Sequence, residues 1–216
     1  MKIQENISLK NYNTFGVEAK AHYFAEVHDL HELKYATEFA KINHIKILFL
    51  GGGSNLLFTQ DFDGLVIKLN LKGISEEILD ENHVLVSAKA GENWHEFVLW
   101  TIDQNFGGLE NLSLIPGNVG TCPIQNIGAY GTEIKDHFVS CKALNLETSE
   151  IEELSLEDCK FGYRDSIFKT SAKGKYVIVE VTFKLTTQNH HIKTEYGAIS
   201  TELKNLGIEN PTIQEV

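Results

Sequence analysis

Apolar positions in the first quarter of the chain change from a helical to an extended spacing. In residues 29–43 they recur near every three to four positions, and the acidic residues Asp29 and Glu32 stand at the start, so the pattern predicts a helix. Residues 45–50 form a short apolar run with β-branched side chains, which predicts a buried strand that ends at three consecutive glycines. The chain is thus predicted to pass from a helix into a strand and then into a glycine loop.

Five further segments have strand patterns. Residues 65–70 and 84–88 are candidate strands, joined through the charged residues 75–82, which are predicted to form a turn. Residues 139–146 and 150–154 suit a hairpin, and apolar positions alternate in residues 176–185. With helices between them, these strands predict an α+β protein with more than one sheet.

Two more helices are predicted, together with the beginning of another. Asn93 can cap a helix in which Glu96 completes a capping box and the apolar stripe ends near Gly107. Residues 197–206 form the second. In residues 210–216 a capping residue, an early proline and apolar positions three apart predict a helix that has only begun; a frayed tail is the alternative.

Composition narrows the possible functions. The 216 residues are 42% hydrophobic and carry a formal net charge of −11, and no run of Lys or Arg exceeds two residues, so a general nucleic-acid binder is disfavoured. No window approaches the roughly 20 apolar residues of a membrane helix, and the first six residues lack a signal-peptide core. We therefore predict a cytoplasmic protein with neither a nucleic acid nor a membrane as its partner.

Cysteines and histidines give no signature of a metal site. The three cysteines are widely spaced without a C-x-x-C pair, so we expect reduced, packed thiols. The close histidine pairs, His28 with His31 and His190 with His191, are not on an H-E-x-x-H helix, and we expect no metal. No Gly-x-Ser-x-Gly segment supports a serine hydrolase.

The glycine loop is the first candidate binding site. Glycines without a Cβ let neighbouring backbone N–H groups point together at an anion, such as a pyrophosphate. The loop lacks the Gly-Lys-Ser/Thr of a Walker motif and the G-x-G-x-x-G of a Rossmann site. Taken alone, such a loop is more often only a structural turn. The candidate residues are Gly51, Gly52, Gly53, Ser54, Asn55 and Leu56.

A second candidate lies within residues 106–131, where charges are few and irregular backbone is predicted. Small and amide-bearing residues alternate with glycine there, which permits close approach to a flat ligand, with Gln125 and Asn126 as neutral donors and acceptors. The alternative is a long loop stabilised by its own amides. The candidate residues are Ile115, Pro116, Gly117, Val119, Gly120, Thr121, Gln125, Asn126, Gly128, Ala129 and Tyr130.

The third candidate is Arg164, which lies among the aromatic residues of segment 161–169. A guanidinium in such surroundings could hold a carboxylate through two charge-assisted hydrogen bonds. A surface ion pair with Asp165 or Asp158 is the alternative.

Taken in order, these segments resemble the UDP-N-acetylenolpyruvoylglucosamine reductases, the FAD enzymes of bacterial peptidoglycan precursor synthesis. Residues 195–197, Glu-Tyr-Gly, further resemble the tyrosine loop of the type I subgroup. The resemblance covers essentially the whole chain. It rests on Asn-Thr-Phe-Gly at 13–16, Gly-Gly-Gly-Ser-Asn at 51–55, Ala-Gly-Glu-Asn-Trp at 90–94, Gly-Leu-Glu-Asn-Leu at 108–112, and segments 115–131 and 161–169.

The resemblance implies a fold and a cofactor. Two α+β subdomains of the vanillyl-alcohol-oxidase (PCMH) type would clasp a noncovalent FAD, with residues 1–70 as the first subdomain and residues 71–190 as the second. Residues 191–216 would begin a truncated substrate-binding domain. Residues 51–56 would hold the FAD pyrophosphate, and residues 115–130 would line the adenosine and isoalloxazine parts.

The resemblance also implies a reaction. NADPH would reduce FAD, and flavin N5 would then deliver hydride to UDP-N-acetylglucosamine enolpyruvate, giving UDP-N-acetylmuramate. Arg164 would stabilise the substrate carboxylate as it gains enolate character. Tyr163 would also contact the UDP-sugar substrate, and Tyr196 would close over its diphosphate. We expect a monomer.

Departures from the family bear on activity. The family carries a proton-donor serine in a Gly-Ser-Phe-Phe-like segment and a late glutamate, and neither is present in these 216 residues. We therefore expect a truncated chain that binds FAD without turnover. Cys122 stands where a serine or another small residue is expected, and we interpret it as packing. An oxidase of the same fold, with a flavin tied covalently to His or Cys, and a non-catalytic flavin-binding module are the alternatives.

Overall fold

The computed structural model describes residues 1–216, and its first half is built on a four-stranded mixed sheet. The strand order is β1-β2-β4-β3, with β1 antiparallel to β2 and both β2 and β3 parallel to β4. The strands are β1 (Gln4–Ser8), β2 (Lys20–Val27), β3 (Ile47–Leu50) and β4 (Phe62–Leu69). Because β3 runs parallel to β4, the glycine loop that follows β3 emerges beside the carboxyl end of β4.

Helix α1 (Leu30–Ile42) connects β2 to β3 and covers one face of this sheet. The Asp29 carboxylate accepts a hydrogen bond from the Glu32 N–H at 2.8 Å, which satisfies one of the free donors of the first turn. Leu33, Ala36 and Ala40 are buried from the apolar stripe. The prediction of a helix that begins at this point is confirmed.

The second sheet is antiparallel throughout, with strand order β10-β9-β11-β6-β5. The predicted hairpin is confirmed by the pairing of β9 with β10, and β11 is the central strand. The strands are β5 (Ile74–Ile78), β6 (His83–Lys89), β9 (Phe138–Asn145), β10 (Ile151–Ser155) and β11 (Tyr176–Thr186). A separate two-stranded ribbon consists of β7 (Gly128–Ala129) and β8 (Thr132–Glu133).

Three further helices follow β4 along the chain: α2 (Trp94–Asp103), α3 (Leu156–Cys159) and α4 (Ile199–Asn205). Asn93 caps α2 by accepting from the Glu96 N–H at 3.1 Å, as predicted. Trp94 and Phe97 of this helix pack against Phe183 of β11 in the larger core. None of the four helices combines the length and the apolar run that a bilayer span requires.

Two local predictions were wrong. Part of residues 75–82 is not a turn but strand β5, an exposed edge strand whose pairing with β6 outweighs its polar composition. Residues 210–216 form a turn rather than a helix, and in this turn the Glu215 carboxylate accepts from both the N–H and the hydroxyl of Thr212. Ile213 of that turn is buried, with 2% of its surface exposed.

The two sheets share part of their hydrophobic packing. Leu144 of β9 and both Val177 and Val179 of β11 pack in the same cluster as the buried residues of α1, β2 and β4. The three free cysteines are all buried, as expected. This shared cluster holds the two sheets together and fixes the loops near their ends relative to one another.

Candidate functional site

The glycine loop presents free backbone donors. The N–H groups of residues 51–55 donate no hydrogen bond within the chain, whereas two of the loop carbonyls are engaged. The Gly51 carbonyl accepts from the Lys68 ammonium, and the Gly53 carbonyl accepts from the Thr14 N–H at 3.2 Å. Consecutive free N–H groups can bind an anion without a neighbouring lysine side chain in direct contact.

Close packing requires glycine at this loop. Gly53 has a φ of +70°, and a Cβ there would overlap the Tyr12 carbonyl. A Cβ on Gly51 would lie 2.7 Å from Thr121 Cγ2, and one on Gly52 would lie 2.9 Å from the Gly117 Cα. The loop therefore lies between residues 12–14 and the segment around residue 117, with no room for side chains.

A cleft of 360 Å³, here called the first cleft, opens beside the glycine loop. None of its lining side chains is charged, and the Asn55 amide donates to the Gln125 amide oxygen across it at 3.3 Å. Apolar walls with a few neutral amides and hydroxyls are typical of sites for flat aromatic ligands. The lining residues are Ser54, Asn55, Trp94, Ile115, Pro116, Asn118, Thr121, Cys122, Ile124, Gln125 and Ile127.

Three of the residues that were predicted to contact a ligand instead form hydrogen bonds within the protein. The N–H groups of Val119 and Gly120 donate to the carbonyls of Glu92 and Ala90, at 2.9 and 3.0 Å. Asn126, expected as a donor to a ligand, is fully buried and donates instead to the Gly162 carbonyl at 2.9 Å. These residues set the course of the loop and leave ligand contacts to their neighbours.

A second cleft of 460 Å³ contains Arg164, the only arginine in the chain. Its guanidinium donates to the Gly128 carbonyl at 2.5 Å, and its backbone is left-handed, with a φ of +52°. The alternative ion pair is not formed, and Asp158 accepts from Ser155 instead. The lining residues are Gly128, Ala129, Tyr130, Gly131, Thr132, Glu133, Lys135, Asp136, Tyr163, Arg164 and Tyr196.

Two aromatic side chains stand open at the second cleft. Tyr163 is 84% exposed, with the Arg164 guanidinium carbon 5.9 Å from its ring centre. Tyr196 is 60% exposed and packs edge-on against Tyr130, with ring centres 6.4 Å apart. Because Lys135 is paired with Glu133, the second cleft offers one cation outside an ion pair, Arg164, and three tyrosine rings to a ligand.

Hydrogen bonds join the segments that line the two clefts. The Ser166 hydroxyl donates to the Ile124 carbonyl at 2.7 Å, and Asn126 donates to the Gly162 carbonyl from the other side. The turn itself is closed by reciprocal backbone bonds between Gly162 and Asp165. The structure thus brings segment 161–169 against segment 115–131, about 40 residues earlier in the chain.

Sequence reasoning missed three residues of this region. Asn118 lines the first cleft and donates to the Gly91 carbonyl at 2.7 Å; its place between Gly117 and Val119 could have indicated it. Trp94 also lines the first cleft and donates to the Leu112 carbonyl at 2.8 Å. Lys68 lies under the glycine loop, and a single lysine in a strand gave no signal in the sequence.

Burial shifts the pKa of two side chains in this region. It lowers the pKa of Lys68 and raises the pKa of the Cys122 thiol.

Comparison with known proteins relates this geometry to flavoproteins. A family model described as an FAD binding domain matches residues 21–155. The chain is 57% identical to the UDP-N-acetylenolpyruvoylglucosamine reductase of Flavobacterium johnsoniae and 47% identical to that of Pseudomonas fluorescens. Each alignment covers 100% of this chain, which spans 64% and 63% of the length of those two relatives.

Solved structures agree with the family match. The UDP-N-acetylenolpyruvylglucosamine reductase of Thermus caldophilus superimposes with a TM-score of 0.69 at 25% identity, over 98% of this chain and 71% of that one. A solvent-stable cholesterol oxidase shares the fold alone, with a TM-score of 0.63 at 14% identity, over 84% of this chain and 37% of its own.

These comparisons confirm the predicted fold class, the resemblance to the reductases and FAD as the cofactor. The donor set fits that cofactor, because the free N–H groups suit a pyrophosphate and the uncharged first cleft suits flat rings. The family model covers more than half of the chain. The chain therefore belongs to the FAD binding domain family.

Proposed function

We propose that this chain is the FAD-binding part of an NADPH-dependent UDP-N-acetylenolpyruvoylglucosamine reductase, which reduces the enolpyruvyl double bond of its UDP-sugar substrate. The observation that carries the proposal is the row of free N–H groups at residues 51–55, which opens directly onto the uncharged first cleft. Similarity to reductases from two bacterial genera, over the full length of the chain, supports the choice of reaction.

The glycine loop and first cleft have complementary tasks in this proposal. Residues 51–56 hold the pyrophosphate through backbone N–H groups, which need no side-chain rearrangement because close packing against Tyr12 and Gly117 already restrains the loop. Residues 115–130 hold the flat rings between apolar walls and exclude water from them. When bound, FAD supplies two-electron oxidation and reduction that no amino-acid side chain provides.

The second cleft receives the substrate. The Arg164 guanidinium binds the substrate carboxylate and stabilises negative charge that develops there during reduction. Its hydrogen bond to Gly128 fixes one edge of the fork before substrate arrives, which reduces the entropy lost on binding. Tyr163 packs beside the guanidinium, and Tyr196 closes over the diphosphate of the substrate.

The domain organisation follows from the two sheets. We infer that residues 1–70 and residues 71–190 are the two FAD-binding subdomains, because the first sheet lies in residues 4–69 and the second in residues 74–186. Residues 191–216 then begin the part that binds substrate. The proposed reaction acts on a nucleotide sugar, and with it we propose a cytoplasmic monomer.

Reconstitution with FAD tests the proposal. The 216-residue chain is mixed with excess FAD, freed of unbound cofactor and examined by visible absorption. We expect a flavin absorption band that corresponds to about one FAD per chain. Denaturation should release this flavin from the protein, and NADPH added under anaerobic conditions should reduce it and bleach the band. A band that stays with the denatured chain supports the covalent oxidase instead, and absence of the band overturns the proposal. A bound flavin that NADPH fails to reduce contradicts the reductase assignment alone.

A further inference from the structure

We propose that Lys68 is a positioning residue of the pyrophosphate site, which orients the glycine loop and supplies the positive charge that the first cleft lacks. The inference rests on the proposed function of residues 51–55. Lys68 forms no salt bridge with a carboxylate that would account for its partly buried position.

The hydrogen bond from Lys68 sets the direction of one peptide in the loop. Lys68 lies in β4 opposite Leu50, the last residue of β3, and its ammonium donates to the carbonyl of the next residue, Gly51. In a trans peptide the C=O and the N–H point in opposite directions. Holding the Gly51 carbonyl on the Lys68 side therefore turns the Gly52 N–H to the side opposite Lys68, where it has no partner in the chain and would be free to bind a pyrophosphate.

The charge of Lys68 is not neutralised by a salt bridge. Glu26 is its register neighbour on β2, yet the Glu26 carboxylate accepts from Asn70 at 2.8 Å and faces His28 at 3.6 Å. No charged side chain lines the first cleft. The Lys68 ammonium is thus a formal positive charge in contact with the loop, where a pyrophosphate would bring at least two negative charges.

Stability does not account for this lysine. Burial lowers the pKa of Lys68, which means that the folded protein disfavours the charged form, while Glu26 opposes the effect. A half-buried ammonium without an ion pair destabilises the fold relative to an apolar chain of similar length. A residue that costs stability at a binding loop is expected to serve binding.

The test compares three variants of the 216-residue chain. Lys68→Met removes the charge and the donor, Lys68→Arg keeps both, and Lys72→Met removes the nearby exposed lysine that pairs with Glu92. For each, the FAD dissociation constant is measured by flavin fluorescence at low and high salt, and the melting temperature without FAD.

We expect Lys68→Met to bind FAD about tenfold more weakly, with an unchanged or higher melting temperature and a reduced dependence of binding on salt. Lys68→Arg should regain most of the affinity, and Lys72→Met should bind like the unmodified chain. If Lys68→Met binds FAD as tightly as the unmodified chain, this inference is overturned and the FAD site stands. A fall in affinity that Lys68→Arg does not reverse, or that matches a lower melting temperature, also overturns it. Failure of the unmodified chain to bind FAD overturns the proposed function itself.

Discussion

The guanidinium of Arg164 donates a hydrogen bond to the carbonyl oxygen of Gly128, 36 residues earlier in the chain. This contact joins the turn that carries the only arginine to the loop that separates the two clefts. It also uses one edge of the guanidinium and leaves the rest of the fork for a ligand. A structural bond of this kind places the cation without a neighbouring carboxylate that would neutralise it.

Replacing Gly53 with alanine should disrupt the glycine loop. The new Cβ would overlap the Tyr12 carbonyl, and the positive φ adds about 1 kcal/mol of strain. We expect FAD affinity to fall at least tenfold, as measured by flavin fluorescence titration. Gly174→Ala is the matched control, because Gly174 has a φ of +75° with nothing within 4 Å of an added Cβ. Equal FAD affinity in the two variants would contradict the role of close packing.

Replacing Asn126 with alanine should loosen the junction between the two clefts. The buried amide donates to the Gly162 carbonyl and accepts from the Lys135 N–H at 3.2 Å. Its loss leaves the Lys135 N–H without a partner and leaves the Gly162 carbonyl with only the bond from the Asp165 N–H. We expect the free energy of unfolding to fall by about 2–3 kcal/mol in a urea titration. Asn189→Ala shares a left-handed backbone at an exposed position and should cost less than about 1 kcal/mol. If both variants lost a similar free energy of unfolding, the left-handed backbone conformation would be the cause, and the role of the buried amide would be contradicted.

The Arg164 side chain should contribute more to substrate binding than to FAD binding. In Arg164→Met, we expect FAD affinity to stay within about threefold, because the first cleft does not include Arg164, while a UDP-sugar enolpyruvyl ether binds about tenfold more weakly. Arg164→Lys keeps the charge but not the fork, and should recover only part of that binding. A fluorescence titration with FAD measures the cofactor affinity, and difference spectra of the bound flavin during ligand titration measure the ligand affinity. Unchanged ligand affinity in Arg164→Met would rule out the proposed contact with the carboxylate.

The acid stability of the protein should depend on Glu180. Burial opposes the charge of this carboxylate, but hydrogen bonds from Lys142, at 2.8 Å, and from Lys89 lower the pKa of Glu180 below its ordinary value of 4.5. A lowered pKa contributes stability that is fully present above about pH 4.5 and is lost as the pH falls through the folded value. Glu180→Gln should therefore destabilise the fold by about 2 kcal/mol near pH 7, and by progressively less below about pH 4.5.

Urea unfolding at several pH values measures this difference. Glu157→Gln is the control, because Glu157 is exposed and makes no side-chain hydrogen bond or ion pair, and it should change stability by less than about 0.5 kcal/mol. A destabilisation by Glu180→Gln that is constant from neutral to acidic pH would show that the ion pairs are not its cause.

Local signals in the sequence predicted most of the fold. The acidic start of α1, the cap at Asn93 and the alternation along β11 each depend on residues within one or two turns, and each is present in the structure. Strand β5 was missed because it depends on pairing with another strand and has no local signal. Its own residues are mostly polar and exposed, and only pairing with β6 makes them a strand.

In the candidate site, too, the sequence predicted local features but not the contacts between distant segments. Glycine content and neutral amides predicted which loops approach a ligand, because a missing Cβ and a small polar side chain have that effect wherever they occur. The sequence could not indicate that Asn126 turns inward to Gly162, since the choice between protein and ligand as its partner depends on a segment 36 residues away.

The sequence by itself thus determined the elements, the motifs and the resemblance to a flavoenzyme family, since each is written in short stretches of residue type and spacing. Only the tertiary structure decided which groups meet. It placed Lys68 under Gly51 through the parallel register of β3 and β4, and it brought Arg164 to Gly128 through the packing of a turn on a loop. Such contacts follow from strand pairing and close packing across the whole chain, and no local pattern encodes them.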